Sequence, residues 1–230
     1  MRGIFNLDGP LFNALNKFSD LIILNLLFVV CSLPIVTIGA SLTALSYVTL
    51  KMKEGEEGYV ARSFFRSFKQ NFRQATVIWI FMLLIAVLMF MDFRIMRLYE
   101  GTVGTVMRIS VYLGAMIWGM ILVYVFPLLA RFENSIRQTL QNAILLAIAN
   151  APKTLLMLAV IFAAVFLTLW NATTIIWGIL IWLLIGFSVI SYISSILLIP
   201  IFHRLAPPEK EEEEGAGEEE GPAPDEKELT

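Results

Sequence analysis

Residues 21–50 read LIILNLLFVVCSLPIVTIGASLTALSYVTL, thirty positions without a single Asp, Glu, Lys, Arg or His. A water-soluble helix of that length would show a polar face recurring about every 3.6 residues, and this stretch has none. A membrane-spanning helix needs about 17–25 predominantly apolar residues, so the stretch belongs in a bilayer. It is too long for one upright helix. Thirty helical residues extend about 45 Å against a hydrocarbon core of about 30 Å. One straight helix would match that only at a tilt of roughly 48°, beyond the usual range of about 0–40°. The central CSLPIVTIGASLTAL offers a break, because Pro34 removes a helical donor and Gly39 permits turn geometry. We expect a hairpin with arms near residues 11–33 and 40–52, turning between Pro34 and Gly39. The second arm is short for a full span, and one kinked helix is the alternative.

Outward from this stretch lie four more blocks free of those five residue types, at residues 75–91, 109–130, 154–169 and 174–201. The expected fold is therefore all-α: a polytopic helical membrane bundle whose five apolar blocks make five or six membrane helices. Composition agrees. Hydrophobic residues make up 58% of the chain and charged residues 16%, against about 45–50% and 25% in soluble domains. Residues 1–204 form the integral membrane domain. Residues 205–230, LAPPEKEEEEGAGEEEGPAPDEKELT, hold eleven acidic residues and two lysines, a net of −9 against +7 for everything before them. A segment with almost nothing apolar larger than Ala cannot bury enough surface to fold, so a disordered acidic tail is expected. Its charge suits a basic partner. No cleavable signal peptide is evident at the N-terminus, which carries Asp8 and no A-x-A site behind a short apolar core.

Basic residues set the orientation. The loop at residues 51–74 carries Lys51, Lys53, Arg62, Arg66, Lys69 and Arg73, the densest basic segment of the chain. Placed in the cytoplasm with the hairpin reading, it brings fourteen of the seventeen Lys and Arg inside and leaves Arg94, Arg97 and Arg108 outside. One kinked helix would make the split twelve to five. Both readings put this loop and the C-terminus on the cytoplasmic side of the cell membrane.

Within the loop, YVARSFFRSFKQNFRQA places Arg62, Arg66, Lys69 and Arg73 within about 60° on a helical wheel. Phe64, Phe65, Phe68 and Phe72 form a stripe centred about 115° away. That pattern predicts a cytoplasmic amphipathic helix. Either its phenylalanines lie in the acyl boundary with its cations among headgroups, or its Phe face packs on the bundle and its basic face is solvated. An apolar arm, a polar helix and an apolar span recur weakly at residues 109–169, as a possible internal duplication.

Chemistry-bearing patterns are scarce. The chain has one Cys, Cys31, and one His, His203, which excludes an internal disulfide and most metal or His-based nucleophile sites. No P-loop, GxGxxG, GxSxG or HExxH motif occurs. The expectation is a protein without enzymatic activity or cofactor and without a nucleic-acid partner. Asp20 is the one carboxylate that falls inside an arm, with Lys17 a turn away as a partner. Asn25 suits an inter-helix hydrogen bond. Ser188, Ser191 and Ser195 recur at i, i+3 and i+7 with Gly186 nearby, a small hydroxylated face that suits close helix packing or, alternatively, a polar path. Ala115 and Gly119 form a small-xxx-small pair.

The run NLLFVVCSLPIVTIGASLTALSYVTLKM followed by EEGYVARSFFRSFKQNFRQATVIW resembles the YesL family of bacterial membrane proteins. The residues that carry the resemblance are Asn25, Pro34, Gly39, Tyr59, Phe64, Phe65, Phe68, Asn71 and Phe72. It covers residues 25–80 strongly and continues loosely to about Leu205. The family has no assigned catalytic residues. Its members tend to be encoded beside sugar-binding lipoproteins and ABC permeases for oligosaccharide uptake, mostly in Gram-positive bacteria. The resemblance thus implies an accessory or scaffold role in carbohydrate import, with sugar ABC transporter subunits as partners and the lipid bilayer as surroundings. A transporter in its own right, with its path along Ser188, Ser191 and Ser195, is the alternative.

Overall fold

The computed structural model describes residues 10–56, 58–95 and 101–205; the acidic tail lies outside them. Among these residues there are helices and no strands. In chain order they are α1 (Pro10–Cys31), α2 (Ile38–Glu54), α3 (Val60–Ile95), α4 (Gly101–Arg131), α5 (Ile136–Ala149), α6 (Ala151–Leu169), α7 (Ala172–Ile181) and α8 (Phe187–Leu205). A π turn over Trp182–Gly186 makes α7 and α8 one continuous rod. Six helical stretches are long and apolar enough to cross a membrane; the charge-free block at residues 21–50 is divided between two of them, and each of the other four blocks lies within one.

The hairpin reading holds and the single kinked helix does not. α1 stops at Cys31, a 3-10 turn covers Ile35–Thr37, and α2 runs back along α1. Leu24 and Phe28 of α1 share one buried cluster with Ala44, Leu45 and Val48 of α2 and with Val60 and Phe64 of α3. Pro34 sits in the break, in extended backbone ahead of the 3-10 turn. Gly39 is a correction. It lies inside α2 and does not form the turn. A Cβ there would come within 2.5 Å of the Ala75 carbonyl oxygen and 2.5 Å of Trp79 Cβ. Its missing side chain therefore brings the α2 and α3 backbones together, the use small residues have in membrane bundles.

α2 is the centre of the molecule, touching α1, α3, α4 and α8. Its sequence suits that place. Gly39, Ala40, Ser41, Thr43, Ala44 and Ser46 are small and buried. Its last turn carries Lys51 and Lys53, which favour the negative end of the helix dipole, and Gly55 ends it in the left-handed region at φ 79°. A second buried cluster runs from Ala40 and Leu50 through Ala75 and Ile78 to Tyr124–Leu129 of α4 and Leu198–Phe202 of α8.

The amphipathic stretch is the start of α3 and not a helix of its own. α3 has 36 residues, about 54 Å of helix against about 30 Å of hydrocarbon, so its basic first third runs on beyond the apolar zone. The unit it echoes is built differently. There the polar helix α5 is separated from the span α6 at Asn150, with Pro152 in the first turn of α6. Proline suits that position because its missing N–H would be unpaired there anyway.

Candidate functional site

Asn25 is fully buried in α1 and faces the π turn across the bundle. Its Nδ2 donates to the carbonyls of Trp182 (3.0 Å) and Leu183 (2.8 Å), and its Oδ1 accepts from the backbone N–H of Ser188 (3.0 Å). In a regular α-helix the Ser188 N–H would donate to Leu184 four residues back. The π turn interrupts that ladder, and one carboxamide restores it with two donors and an acceptor. The inter-helix hydrogen bond expected of Asn25 is present, and its partner is backbone.

The serine face continues the same seam. Thr49 Oγ1 of α2 lies 2.9 Å from Ser191 Oγ and accepts from Ser195 Oγ at 2.9 Å. Ser195 also approaches the Ser191 carbonyl, and Ser188 Oγ donates to the Ile185 carbonyl. Ser188 and Ser195 are buried. The hydroxyls are thus spent in joining α8 to α2 and to its own backbone. Gly186 lies within the π turn, where a Cβ would press on the Trp182 ring at 3.1 Å. That ring packs at a tilt against Phe187, which packs likewise against Phe28.

A half-open cavity of about 370 Å³ lies beside this seam, floored by Leu42 and Leu45 of α2 and walled by Phe126 and Pro127 of α4. Ser191, Ser194 and Ser195 form its α8 side, and Ile161 and Val165 of α6 roof it. α6 is held at both ends of this arch. Buried Tyr124 bonds Thr154 (3.0 Å) at one end, and Trp182 Nε1 donates to Thr168 (2.9 Å) at the other.

At the end of the bundle where α2, α4 and α8 all terminate, Glu54 joins the three. Its carboxylate meets Arg131 Nη1 at 2.6 Å and His203 Nε2 at 3.0 Å, with 12% of its side chain exposed. Sequence reading missed this triad. The available signal was positional: each is a charged or titratable side chain close behind an apolar block on the same predicted side. The contact that Thr37 and Trp79 make with the hairpin turn was missed as well. Lys17 and Asp20 both line a polar pocket with Lys51 and Glu56, but the ion pairs among the described residues do not include a Lys17–Asp20 pair.

The loop-helix residues divide. Phe64 is fully buried and Phe68 half-buried, stacked on it, while Phe65 and Phe72 are exposed. Arg62, Arg66, Lys69 and Arg73 are all exposed. A second polar pocket lies between this part of α3 and the α4–α5 turn, lined by Arg66, Gln70, Asn71 and Asn134. Gln74 bridges the two elements by donating to the Asn134 carbonyl. The small-xxx-small pair is a correction. Ala115 is exposed, and a Cβ on Gly119 would only reach ordinary contact distance from Leu158. The close approaches belong to Gly39 and to Gly178, which faces Thr168.

Residues 21–93, from within α1 to near the end of α3, match the sequence profile of a family described as "Protein of unknown function, DUF624". A curated protein of Bacillus subtilis (strain 168), described as "Uncharacterized protein YesL", is 26% identical over 169 residues, covering 70% of this chain and 79% of its own length. The chain is YesL-like. No solved structure matches it. The segment that matches this family profile contains most of the hairpin together with Asn25, Gly39, Thr49, Glu54 and the basic start of α3. It therefore supplies the α1, α2 and α3 side of the contacts made with the π turn, with Ser191 and Ser195, and with Arg131 and His203.

Proposed function

We propose that this chain is a non-enzymatic accessory or scaffold subunit of the bacterial cytoplasmic membrane, associated with ABC-type uptake of carbohydrate. The observation that favours it is the use of the interior polar groups. Asn25, Thr49, Ser188 and Ser195 bond one another or helix backbone, whereas Arg62, Arg66, Lys69 and Arg73 stand exposed in a row beside a polar pocket. A rigid interior with a charged outer face suits a binding partner better than a moving carrier. The excess of basic residues at this end favours a cytoplasmic position for it and for the C-terminus, where the acidic tail would meet a basic partner. The test is affinity purification of the full chain from crosslinked native membranes. Carbohydrate permease subunits should be retained, and lost when all four basic residues are changed to Gln. A solitary protein whose deletion leaves sugar uptake unchanged would overturn the proposal.

One observation favours a second reading, a carrier with its path along the serine face: the cavity under α6 borders Ser191, Ser194 and Ser195. Flux of labelled sugars into proteoliposomes separates the two readings. The accessory role expects none.

A further inference from the structure

We propose that the α1–α2 hairpin is re-entrant: it enters the bilayer from the basic face and turns within the hydrocarbon, so residues 32–37 meet acyl chains and not the water of the far side. With their charged ends counted, both arms are long enough to cross. Their charge-free parts are not. Residues 21–31 of α1 and 38–50 of α2 are eleven and thirteen residues, about 16 and 20 Å of helix against about 30 Å of hydrocarbon. The charge-free runs of α3 and α4 are seventeen and twenty-two residues, about 25 and 33 Å.

The neighbours outrun the turn. Trp79 of α3 donates from Nε1 to the Ile35 carbonyl in the turn at 2.8 Å. Beyond Trp79, α3 continues for sixteen residues to Ile95, about 24 Å, and its first charge after Trp79 is Asp92. The turn is therefore level with the first turn of the apolar run of α3, about 6 Å from its basic end and well short of its far end.

The chemistry of the turn agrees with that depth. Turns favour Gly, Pro, Asn, Asp and Ser, and this one holds Ser32 and Pro34 but, Thr37 aside, is otherwise apolar. Here Leu33, Ile35 and Val36 are 75%, 62% and 52% exposed. In hydrocarbon every backbone polar group must be satisfied within the protein, and this turn meets most of its own, although the Ser32 hydroxyl is buried without a partner. Thr37 Oγ1 lies 2.6 Å from the Cys31 carbonyl and 2.7 Å from that of Pro34, and Trp79 serves Ile35. The N–H groups of Ser32, Leu33 and Thr37 donate to Phe28, Val30 and Pro34, and Pro34 has no N–H to satisfy. A turn bathed in water would need none of these side-chain donors.

The experiment uses the full chain with Val36→Cys in a Cys31→Ala background, and Arg94→Cys, at the charged end of α3, as the surface reference. An impermeant maleimide is applied to intact cells and to inverted vesicles. Labelled from either side, Val36→Cys should react at least tenfold more slowly than Arg94→Cys does in intact cells. A nitroxide at Val36→Cys should be relaxed by oxygen and not by an aqueous nickel chelate. Labelling at the reference rate from either side, or nickel access equal to that at Arg94→Cys, overturns the inference. As a second variant, Val36→Lys should lower the amount of protein in the membrane severalfold, whereas a turn at the far surface would leave it unchanged.

Discussion

The seam around α2 and the outer hairpin formed by α6 and α7 are both apolar and both membrane-length, yet they face opposite surroundings. α2 is the more polar, with Ser41, Thr43, Ser46 and Thr49 along it, and just over half of its spanning window is buried. α6 is nearly pure hydrocarbon and only 11% of its window is buried; Phe162, Phe166 and Leu167 point outward. In a soluble protein the ranking would be reversed. Lipid tails are as apolar as leucine, so no hydrophobic force drives one helix against another in a bilayer. Close approach of small residues and hydrogen bonds between helices take its place, and they put the more polar helix in the middle.

That contrast is sharpest for phenylalanine. Phe64→Ala removes a fully enclosed ring from the cluster of α1, α2 and α3 and should destabilise the fold by about 3–5 kcal/mol in detergent unfolding. Phe166→Ala, on a ring that is 60% exposed, should change stability by less than about 0.5 kcal/mol. Similar losses at the two sites would break the comparison.

Asn25→Leu comes next. It removes the side-chain partner of two carbonyls and one N–H at the π turn, and under-satisfied buried groups are costly. The expected loss is about 2–4 kcal/mol, with faster hydrogen exchange at the Ser188 amide. A variant that unfolds like the parent while Ser188 stays protected would show that the π turn needs no partner.

The glycines offer a finer test. Gly39→Ala drives a methyl into the Ala75 carbonyl and Trp79 Cβ, and one of these is backbone that cannot turn aside. It should lose about 1–3 kcal/mol. Gly178→Ala meets the end of the Thr168 side chain and should lose at most about 1 kcal/mol, because a side chain yields more easily than backbone. The reverse order, read by thermal unfolding in the same detergent, would place the close packing in the outer hairpin.

Smallest is Ser195→Ala, which removes one of the hydroxyls around Thr49. Single inter-helix hydrogen bonds in membranes average about 0.6 kcal/mol. A loss above about 2 kcal/mol in the same unfolding measurement would mean that the serine face acts as a unit.

Much of the architecture was legible in the sequence. The five charge-free blocks mark the helices because a charge at the bilayer centre is expensive. The excess length of residues 21–50 implied two arms, and the break at Pro34 followed from its missing donor. Asn25 stood out as the polar exception in an apolar run. Other features left little trace. Gly39 reads equally well as a turn former and as a packing residue, and only the position of Ala75 decides between them. The same spacing argument that marked the serine face also marked Ala115, which is exposed, and Gly119, which meets only the Leu158 side chain at ordinary contact distance. Phe64 and Phe65 are adjacent in one stripe, and the first is enclosed while the second is not.

What the sequence determined by itself is the solvent of each segment: which residues lie in hydrocarbon, where the chain must break, and on which end the positive charge collects. Those follow from transfer energies that each residue contributes almost independently. Only the tertiary structure decided the neighbours. Glu54, Arg131 and His203 are 77 and 149 positions apart along the chain from Glu54, and Asn25 meets backbone more than 150 residues away. An apolar helix is equally content against lipid or another helix, so hydropathy is silent on which face is covered. The choice rests on a few small and hydrogen-bonding side chains, whose partners exist only once the bundle has closed.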